Sequence, residues 1–324
     1  MQQAQRGVLT IATGRRVYLD MAIALARSFR WWNNDGDIEF YLATDSVDPL
    51  PRDLAFVRRL QFAPGELGTG FSVKLNMQRI APSLHTLFID ADCLCVGPLA
   101  PVFERFSGRA VSVVGGAITE GEWFGDVAAT RAHFNLPTLT KFNGGVYYFE
   151  QGEVAERVFD HARGLVERYD ELGLVRLRDC PNEELLMAIS MGLEGCTGLA
   201  DDGTIHGELF ASPKLLEIDV LAGKALLSNP PPGDPQHRRG YPVRETRPVI
   251  VHFLGDFTSK WQYRSQARVL RLVSEWRVPQ ALARTWVAAT YQFPMWCLER
   301  ARSALRPLFR RVVGYRRVRF EERM

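Results

Sequence analysis

The chain has 324 residues, of which 46% are hydrophobic and 24% charged, and this is the balance of a soluble globular protein with a substantial core. No apolar run approaches the roughly 18 residues of a membrane span, and the first residues carry no secretory signal pattern, so we expect neither feature. Five cysteines without zinc spacing indicate free thiols in a reducing cytoplasm.

Strand-like and helix-like segments alternate along the chain. Apolar runs rich in strand-forming residues predict strands over residues 7–13, 38–45, 87–89, 110–117, 144–150 and 249–254. Apolar residues at helical spacing predict helices over residues 18–32, 54–60, 71–80, 154–169 and 182–191. Residues 229–242 are rich in Pro and Gly and predict a loop. The alternation predicts an α/β fold with a mostly parallel sheet covered by helices.

Two carboxylates, Asp90 and Asp92, follow the short apolar run 87–89. Ligands bind at the carboxyl ends of the strands in parallel sheets, so both side chains are expected at the ligand-binding edge. Carboxylates at the end of a buried strand are costly unless a charge compensates them, and Mg²⁺ or Mn²⁺ does so while leaving room for substrate phosphates. The alternative is two solvated turn aspartates, which is the commoner meaning of an isolated Asp-x-Asp.

Four segments, in this order, resemble glycosyltransferase family 8. They are FSVKLNMQRIAPSLHTLFIDADCLCVGPL (71–99), FNGGVYYF (142–149), PNEELLMAI (181–189) and VHFLGDFTSKW (251–261). The resemblance implies a GT-A type, Rossmann-like fold with a mixed, mostly parallel sheet flanked by helices, as a catalytic domain over residues 1–261. It also implies transfer of a hexose from a nucleotide-sugar, often a UDP-sugar, with Mn²⁺ (or Mg²⁺) and with retention of anomeric configuration.

The same resemblance implies a metal site formed by Asp90, Asp92 and His252. His252 follows the apolar run 249–251 and is therefore expected at a strand end, like the two aspartates. The metal would neutralise the leaving diphosphate as a Lewis acid. A single histidine at such a place is more often structural, but the upstream carboxylates and the downstream segment 255–260 reverse that preference.

Donor contacts are also implied by the resemblance. The end of the first strand would bind the base and ribose, although the acidic residues that the family uses there are missing from residues 12–18. Lys260 would contact the diphosphate as a point charge, and Lys74 would reach a phosphate or the sugar unless it lies on a solvated helix face. The implied donor-binding residues are Ala12, Thr13, Gly14, Lys74, Asp90, Ala91, Asp92, Asn143, Gly144, Gly145, Gly255 and Lys260. Asn143 and the two glycines after it are expected just before a strand, where a simple turn is the alternative.

The chain departs from the family at the start of the helix over residues 182–191. The family has Asp-Gln where this chain has Asn182 and Glu183, followed by Glu184. These three residues are the candidate catalytic residues, because retaining transfer needs a group that stabilises or attacks an oxocarbenium-like centre. Two mechanisms stay open, a front-face transfer, which we favour, and a double displacement through Glu183. Glu183 is otherwise a favourable acid in the first turn of a helix.

Residues 262–324 lie outside the resemblance and are predicted to form a helical, basic and aromatic extension. Residues 298–324 contain nine Arg against three Glu, although the net charge of the chain is only +3. Aromatic residues interleaved with Arg suit an anionic membrane surface, so we predict peripheral binding to the inner face of the cytoplasmic membrane. A packed helical subdomain is the alternative. No nucleic-acid module is recognisable, so no nucleic-acid partner is expected.

Two functions of different class remain open at this stage. The first is a metal-dependent hexosyltransferase whose partners are a nucleotide-sugar donor and a glycan or glycolipid acceptor, such as a precursor of lipopolysaccharide or another surface polysaccharide. The second is a non-catalytic protein that binds a nucleotide-sugar or lipid, in which Asn182 marks a decayed site.

Overall fold

The computed structural model describes residues 4–314 of the chain. In chain order its strands are β1 (Arg6–Ala12), β2 (Ile38–Thr44), β3 (Val57–Gln61), β4 (His85–Ile89), β5 (Cys93–Cys95), β6 (Val111–Ile118), β7 (Leu139–Glu150), β8 (His206–Glu208), β9 (Lys214–Asp219), β10 (Lys224–Asn229), β11 (Arg244–Thr246) and β12 (Ile250–His252). Its α-helices are α1 (Arg16–Trp32), α2 (Met77–Ile80), α3 (Ala100–Phe106), α4 (Val127–Phe134), α5 (Glu153–Glu167), α6 (Glu183–Leu193), α7 (Trp261–Ser274), α8 (Gln280–Val287) and α9 (Phe293–Val313). Tighter 3₁₀ segments cover Arg52–Leu54, Gly70–Asn76, Val220–Ala222 and Gly255–Ser259.

The central sheet has six strands in the order β3-β2-β1-β4-β7-β6. The four strands from β3 to β4 run parallel to one another, while β7 is antiparallel to both β4 and β6. The predicted mixed, mostly parallel sheet is therefore confirmed. The carboxyl ends of β1, β2 and β4 share one edge of this sheet, because the three strands are parallel neighbours.

Helices cover both faces of the central sheet. Leu9 of β1 and Phe88 of β4 belong to a hydrophobic cluster that contains buried residues of α5 and α6. Their neighbours Val8 and Leu87 point to the opposite face and belong to a second cluster with α1 and α3. This division follows from the two-residue period of a strand, which sends successive side chains to opposite faces.

A small sheet of three strands, in the order β5-β12-β8, stands beside the end of β4. His252 at the end of β12 pairs with Cys93 of β5 on one side and with Glu208 of β8 on the other. Asp90 and Asp92 lie in the connection between β4 and β5. The pairing thus brings the end of β12 to the Asp-x-Asp segment, although the two are distant in sequence. The third sheet, in the order β11-β10-β9, contains strands that the sequence did not predict.

Residues 54–60 do not form the helix that their spacing predicts. Leu54 ends a 3₁₀ segment, and Val57–Gln61 form β3, which pairs with β2 at the edge of the central sheet. Leu54 is buried, whereas Val57 and Leu60 are half-buried. The three apolar residues are spaced like a helical face, but β2 offers backbone hydrogen bonds to the segment, and tertiary pairing outweighs local spacing.

Asn143, Gly144 and Gly145 lie inside β7 and not before it, so the predicted strand start is wrong. Residues 139–142 pair with β6, and residues 146–150 pair with β4. Side chains from other elements approach the two glycines so closely that neither position has room for a side chain of its own. A Cβ atom at Gly144 would lie 2.6 Å from Oε1 of Glu183, and one at Gly145 would lie 2.9 Å from Nε2 of His206.

The chain divides after Leu254 into two compact units. The second unit begins at Gly255 and contains α7, α8 and α9, so the predicted helical extension is present. Residues 315–324 of the predicted extension lie outside the described residues. Within residues 4–314, no helix combines the length and the apolar composition that crossing a bilayer requires.

Candidate active site

Asp92 and His252 face each other where β4, β5 and β12 meet. His252 Nε2 lies 2.9 Å from Asp92 Oδ1, and the imidazole is 4% exposed. Burial opposes both charges, but the mutual attraction outweighs it, so the pKa of Asp92 is lowered and that of His252 is raised. Among the described residues, Asp92 Oδ1 is buried without a hydrogen-bond partner of good geometry. A buried carboxylate oxygen in this state is suited to a cation.

The pair offers two ligand atoms at a spacing that a divalent cation can bridge. Adjacent ligands of octahedral Mg²⁺ stand about 2.9 Å apart, because each bond is about 2.0–2.1 Å long. The 2.9 Å between Asp92 Oδ1 and His252 Nε2 agrees with that spacing. Cys93 is near enough to join them, but burial raises the pKa of its thiol well above the usual value. A bound cation displaces the proton of a thiol or of an imidazolium, so all three side chains can supply a ligand atom.

Asp90 points to a different partner from Asp92. Its Oδ2 accepts a hydrogen bond from Lys74 Nζ at 2.7 Å. The same ammonium lies 3.1 Å from Oε1 of Glu183 and donates to the backbone oxygen of Gly144 at 2.9 Å. Burial opposes the charge of Lys74, but the two carboxylates outweigh burial and raise its pKa. Lys74 is therefore a buried cation between two carboxylates and does not lie on a solvated helix face.

Glu183 and Glu184 cover the backbone of β7 from the start of α6. Glu183 is 2% exposed, and its Oε2 is buried without a hydrogen-bond partner among the described residues. Glu184 is half-buried, and its Oε1 accepts a hydrogen bond from Gly144 N at 2.7 Å. Burial and the nearby charge of Glu183 raise the pKa of Glu184 to about 8. Burial also raises the pKa of Glu183, so two carboxylates with raised pKa values stand next to the candidate metal site.

Asn182 precedes these carboxylates as the N-cap of α6. Its side chain accepts a hydrogen bond from Leu185 N at 3.1 Å, and the residue is 1% exposed. An amide oxygen caps a helix as well as the carboxylate of Asp does. The replacement of the family's Asp at this position therefore keeps the local structure of the helix start.

Asn143 links the candidate metal site to β8. Its Oδ1 lies 2.8 Å from His252 Nδ1 and accepts a hydrogen bond from Gly145 N at 3.0 Å. Its Nδ2 donates to Oε2 of Glu208 at 2.9 Å. Asn143 is half-buried, and its amide is oriented by protein partners on both sides.

The predicted base and ribose segment lies at the end of β1. Gly14 has a φ of +81°, and its backbone N–H donates to both carboxylate oxygens of Asp45, at 3.0 and 2.9 Å. Thr44 Oγ1 donates to the backbone oxygen of Ala12 at 2.7 Å. Asp45 follows β2, and its half-buried carboxylate lies beside the segment of Ala12, Thr13 and Gly14. Residues 12–18 contain no acidic residue of their own.

Gly255 and Lys260 belong to the second unit of the chain. Gly255 has a φ of +61° and begins a 3₁₀ segment, and Lys260 is the N-cap of α7. Their predicted contacts with the donor diphosphate stay a prediction. In the first unit, the described residues bring together Lys74, Asp90, Asp92, Asn143, Gly144, Gly145, Glu183, Glu184 and His252.

A cavity of about 430 Å³ opens beside Asn143. Its lining includes Gly116, Lys141, Asn143, His206, Glu208 and Tyr241. Lys141 Nζ lies 5.3 Å from the centre of the Tyr241 ring. Burial and the charge of His252 lower the pKa of His206 to about 3, so this imidazole is neutral. The lining thus combines several polar side chains with an aromatic ring, two features that suit a sugar.

Comparison with solved structures identifies the architecture. The chain is similar to the galactosyltransferase LgtC, crystallised with donor and acceptor sugar analogs, with 13% identity and a TM-score of 0.51 over 77% of this chain and 87% of that chain. The chain shares the GT-A glycosyltransferase fold. Mouse xyloside xylosyltransferase 1 aligns with 13% identity and a TM-score of 0.44, over 63% of this chain and 88% of that chain. The bifunctional glycosyltransferase WbbM aligns with 13% identity and a TM-score of 0.46, over 79% of this chain and 46% of that chain.

No protein-family model matches the sequence, and no curated protein sequence matches it. The predicted GT-A fold is confirmed by the structure, and membership of family 8 stays a prediction.

Three residues near the candidate site of this GT-A glycosyltransferase fold were not predicted from the sequence. Asp45, His206 and Glu208 come to the site from the end of β2 and from β8. β8 has only three residues, so it has no periodicity by which it could be predicted. Asp45 follows a correctly predicted strand that runs parallel to β1, and its position at the strand end was the available signal.

Proposed function

We propose that the protein is a metal-dependent glycosyltransferase. It would move a hexose from a nucleotide-sugar, in the first place a UDP-sugar, to a hydroxyl group of a glycan or glycolipid, with retention of anomeric configuration. The observation that carries this proposal is the Asp92–His252 pair at the end of β4, beside the half-buried carboxylate of Asp90 and the buried carboxylate of Glu183. Such a concentration of buried charge is costly for stability and is typical of a functional site.

The metal would be held by Asp92 and His252, with Asp90 as the third ligand. Asp90 accepts hydrogen bonds from Lys74 and from its neighbour Ala91, and an ionised carboxylate keeps further lone pairs beyond these two bonds. When bound, Mn²⁺ or Mg²⁺ supplies positive charge that stabilises the leaving diphosphate. Lys74 adds a fixed positive charge on the same side, since it is buried and doubly paired.

The donor would lie along the edge formed by the ends of β1 and β4. Ala12, Thr13 and Gly14 would hold the base and ribose, and Asp45 would supply the acidic group that the neighbouring residues lack. Asn143, Gly144 and Gly145 would border the sugar, with Ala91 in the metal turn beside them. Gly255 and Lys260 would contact the diphosphate. The cavity beside Asn143 would take the acceptor, because it adjoins the expected position of the sugar.

The buried position of Glu183 favours a front-face transfer over a double displacement. A carboxylate nucleophile must reach the anomeric carbon, but Glu183 is 2% exposed and pairs with Lys74. Its charge would instead stabilise the oxocarbenium-like transition state. In the front-face mechanism the leaving phosphate takes the proton of the acceptor hydroxyl. The raised pKa of Glu184 keeps that carboxyl protonated at neutral pH, so it would donate a hydrogen bond and would not attack.

The second candidate function is a non-catalytic protein that binds a nucleotide-sugar. It was suggested by Asn182, which stands where the family has Asp. Since Asn182 caps α6 through Leu185 N, the substitution has a structural explanation that does not require loss of activity. The transferase is therefore the better-supported proposal.

We also propose that the second unit binds the inner face of the cytoplasmic membrane peripherally. Trp286, Phe293 and Trp296 are exposed, with exposed fractions of 64%, 64% and 44%. Arg300 lies 4.9 Å from the ring centre of Trp296, so a cationic and an aromatic group lie side by side on α9. Such a surface suits the boundary between anionic headgroups and acyl chains, where a glycolipid or surface-polysaccharide precursor would be found.

A binding screen tests the proposal for the first unit. The full-length protein is heated with UDP-, GDP- and CDP-sugars, each with and without Mn²⁺, and Tm is recorded. We expect one nucleotide class to raise Tm only with Mn²⁺, because a ligand that binds the native state stabilises it by mass action. The increase should be absent in Asp92→Asn. If no nucleotide changes Tm in any combination, the proposed function is wrong.

A further inference from the structure

Glu208 lies next to the candidate metal site, and the function proposed above gives its side chain no part beyond lining the cavity. It ends β8, it is half-buried, and its Oε2 accepts a hydrogen bond from Asn143 Nδ2 at 2.9 Å. Its backbone pairs with His252 in the sheet that contains β12. Glu208 is thus tied to the metal-site histidine through both the backbone and the side chain of Asn143.

The orientation of the Asn143 amide follows from its partners. An ionised Glu208 only accepts hydrogen bonds, so the group facing it must be the NH₂ group of Asn143. Gly145 N only donates, so the group facing it, at 3.0 Å, must be the amide oxygen. Both constraints agree on one orientation, in which Oδ1 also faces His252 Nδ1 at 2.8 Å.

The amide oxygen then fixes a proton on one nitrogen of His252. Oδ1 only accepts, so Nδ1 of His252 must donate to it. Asp92 Oδ1, 2.9 Å from Nε2, also only accepts, so both ring nitrogens face acceptors in the metal-free protein. When a cation takes the place of the Nε2 proton, the remaining proton stays on Nδ1, where Asn143 accepts it. Glu208, Asn143 and His252 form a directed series of hydrogen bonds that ends at the candidate metal site.

We propose that Glu208 is a positioning residue that acts through Asn143 on His252. It holds the imidazole in the tautomer that presents Nε2 to a divalent cation, and the metal part of this inference rests on the proposed function. β7 supports the arrangement, because a Cβ atom at Gly145 would overlap Nδ1 of His252. The ring therefore lies directly against the glycine backbone, at hydrogen-bond distance from Asn143 Oδ1.

A double-mutant cycle tests whether Glu208 acts through Asn143. Mn²⁺ affinity is measured by electron paramagnetic resonance for wild type, Glu208→Ala, Asn143→Ala and the double variant. We expect Glu208→Ala to weaken Mn²⁺ binding roughly tenfold, the lower end for loss of a group that orients a metal ligand. In the Asn143→Ala background, Glu208→Ala should cause little further loss. Additive losses, or an unchanged affinity in Glu208→Ala, would overturn the proposal.

The conservative variant Glu208→Gln keeps an acceptor for Asn143 and is expected to retain most of the Mn²⁺ affinity. The matched control is Glu217→Ala on β9, whose carboxylate pairs with Lys224 away from the site and should leave Mn²⁺ affinity unchanged. If Glu208 instead contacts the acceptor in the cavity, Glu208→Ala raises the acceptor KM without changing Mn²⁺ affinity. That result would contradict the positioning role.

Nitrogen NMR of the metal-free protein separates this inference from the proposed function. With ¹⁵N-labelled histidine, Nδ1 of His252 should carry a proton in the wild type, and that proton should exchange slowly with water because Asn143 accepts it. Faster exchange of this proton in Asn143→Ala and in Glu208→Ala would support the inference even if the protein bound no Mn²⁺, in which case the proposed metal dependence alone would fail. A wild-type ring without a proton on Nδ1, or equal exchange in all three proteins, would overturn the inference.

Discussion

The ammonium group of Lys74 lies 2.7 Å from Oδ2 of Asp90, the first carboxylate of the Asp-x-Asp segment. The opposite side of the same ammonium contacts Glu183 at 3.1 Å. One buried cation therefore joins the turn after β4 to the first residue of α6. This contact connects the candidate metal site and the candidate catalytic carboxylates within one charge network.

Replacing Lys74 should destabilise the protein strongly. Lys74→Met leaves two largely buried carboxylates without their cation, and breaking a buried ion pair in this way costs roughly 3–5 kcal/mol. Urea unfolding at neutral pH measures the free energy of unfolding. Lys224→Met is the matched control, because that lysine is 59% exposed and should contribute little. Equal stability of the two variants would show that the buried network does not form.

Glu184 should make stability depend on pH. Its pKa is raised to about 8 in the native state from its ordinary value of 4.5, so the folded protein keeps a proton that the unfolded chain releases. The resulting stabilisation is complete below the unfolded value and is lost as pH rises through about 8.

The variant Glu184→Gln cannot lose that proton, yet its amide oxygen can still accept from Gly144 N. We therefore expect the free energy of unfolding to fall less steeply between about pH 5 and pH 9 in Glu184→Gln than in the wild type. Urea titrations across this range provide the comparison. Parallel pH profiles for the two proteins would mean that Glu184 is ionised in the native state at neutral pH.

Glu183 should affect the rate of transfer more than donor binding. A charge that stabilises the transition state changes kcat, while ground-state affinity for UDP stays nearly constant. We expect Glu183→Gln to reduce kcat by roughly 10²-fold with little change in the Kd for UDP. Glu167→Gln at the exposed end of α5 is the control. Full activity of Glu183→Gln would make its role structural, and trapping of a sugar on Glu183 would favour double displacement.

The second unit should bind anionic membranes in a salt-dependent way. Arg300, Arg302 and Arg306 are exposed on α9, and each basic residue near an anionic surface contributes about 1 kcal/mol. Binding to phosphatidylglycerol vesicles should weaken with added salt, and Arg-to-Ala replacement at the three positions should reproduce that loss. Replacing Trp286 and Trp296 by Ala should remove the salt-resistant part.

A truncation gives a second test of the membrane proposal. Removal of residues 284–324 should abolish vesicle binding and leave Mn²⁺-dependent donor hydrolysis intact. If the intact protein does not bind the vesicles at low salt, or if the truncated protein unfolds, the alternative of a packed helical subdomain is correct.

The sequence predicted those candidate site residues that directly follow a strand with a clear apolar run. Asp90 and Asp92 follow the buried β4, and their position at the sheet edge needed only the alternation of elements. Residues 54–60 were mistaken for a helix, since only pairing with β2 makes them a strand. Glu208 was missed because β8 is three residues long, and its proximity to Asn143 arises entirely from tertiary structure.

The partners of each site residue also depend on packing. From the sequence we expected Lys74 either to contact the donor or to lie in solvent. In the structure it is buried between two carboxylates. The sequence likewise grouped Asp90 with Asp92, while the structure turns one to Lys74 and the other to His252. Both carboxylates come from one short turn, so small differences in side-chain direction decide which partner each one meets.

The central claim is that this protein transfers a sugar from a nucleotide with the help of a cation bound at Asp92. The most direct measurement is the release of UDP from UDP-hexoses by the full-length protein, compared with Asp92→Asn and with the control Asp170→Asn, whose carboxylate is 69% exposed. We predict Mn²⁺-dependent release that falls at least about 10²-fold in Asp92→Asn and stays unchanged in the control. Activity that survives complete chelation and the loss of Asp92 would contradict the claim.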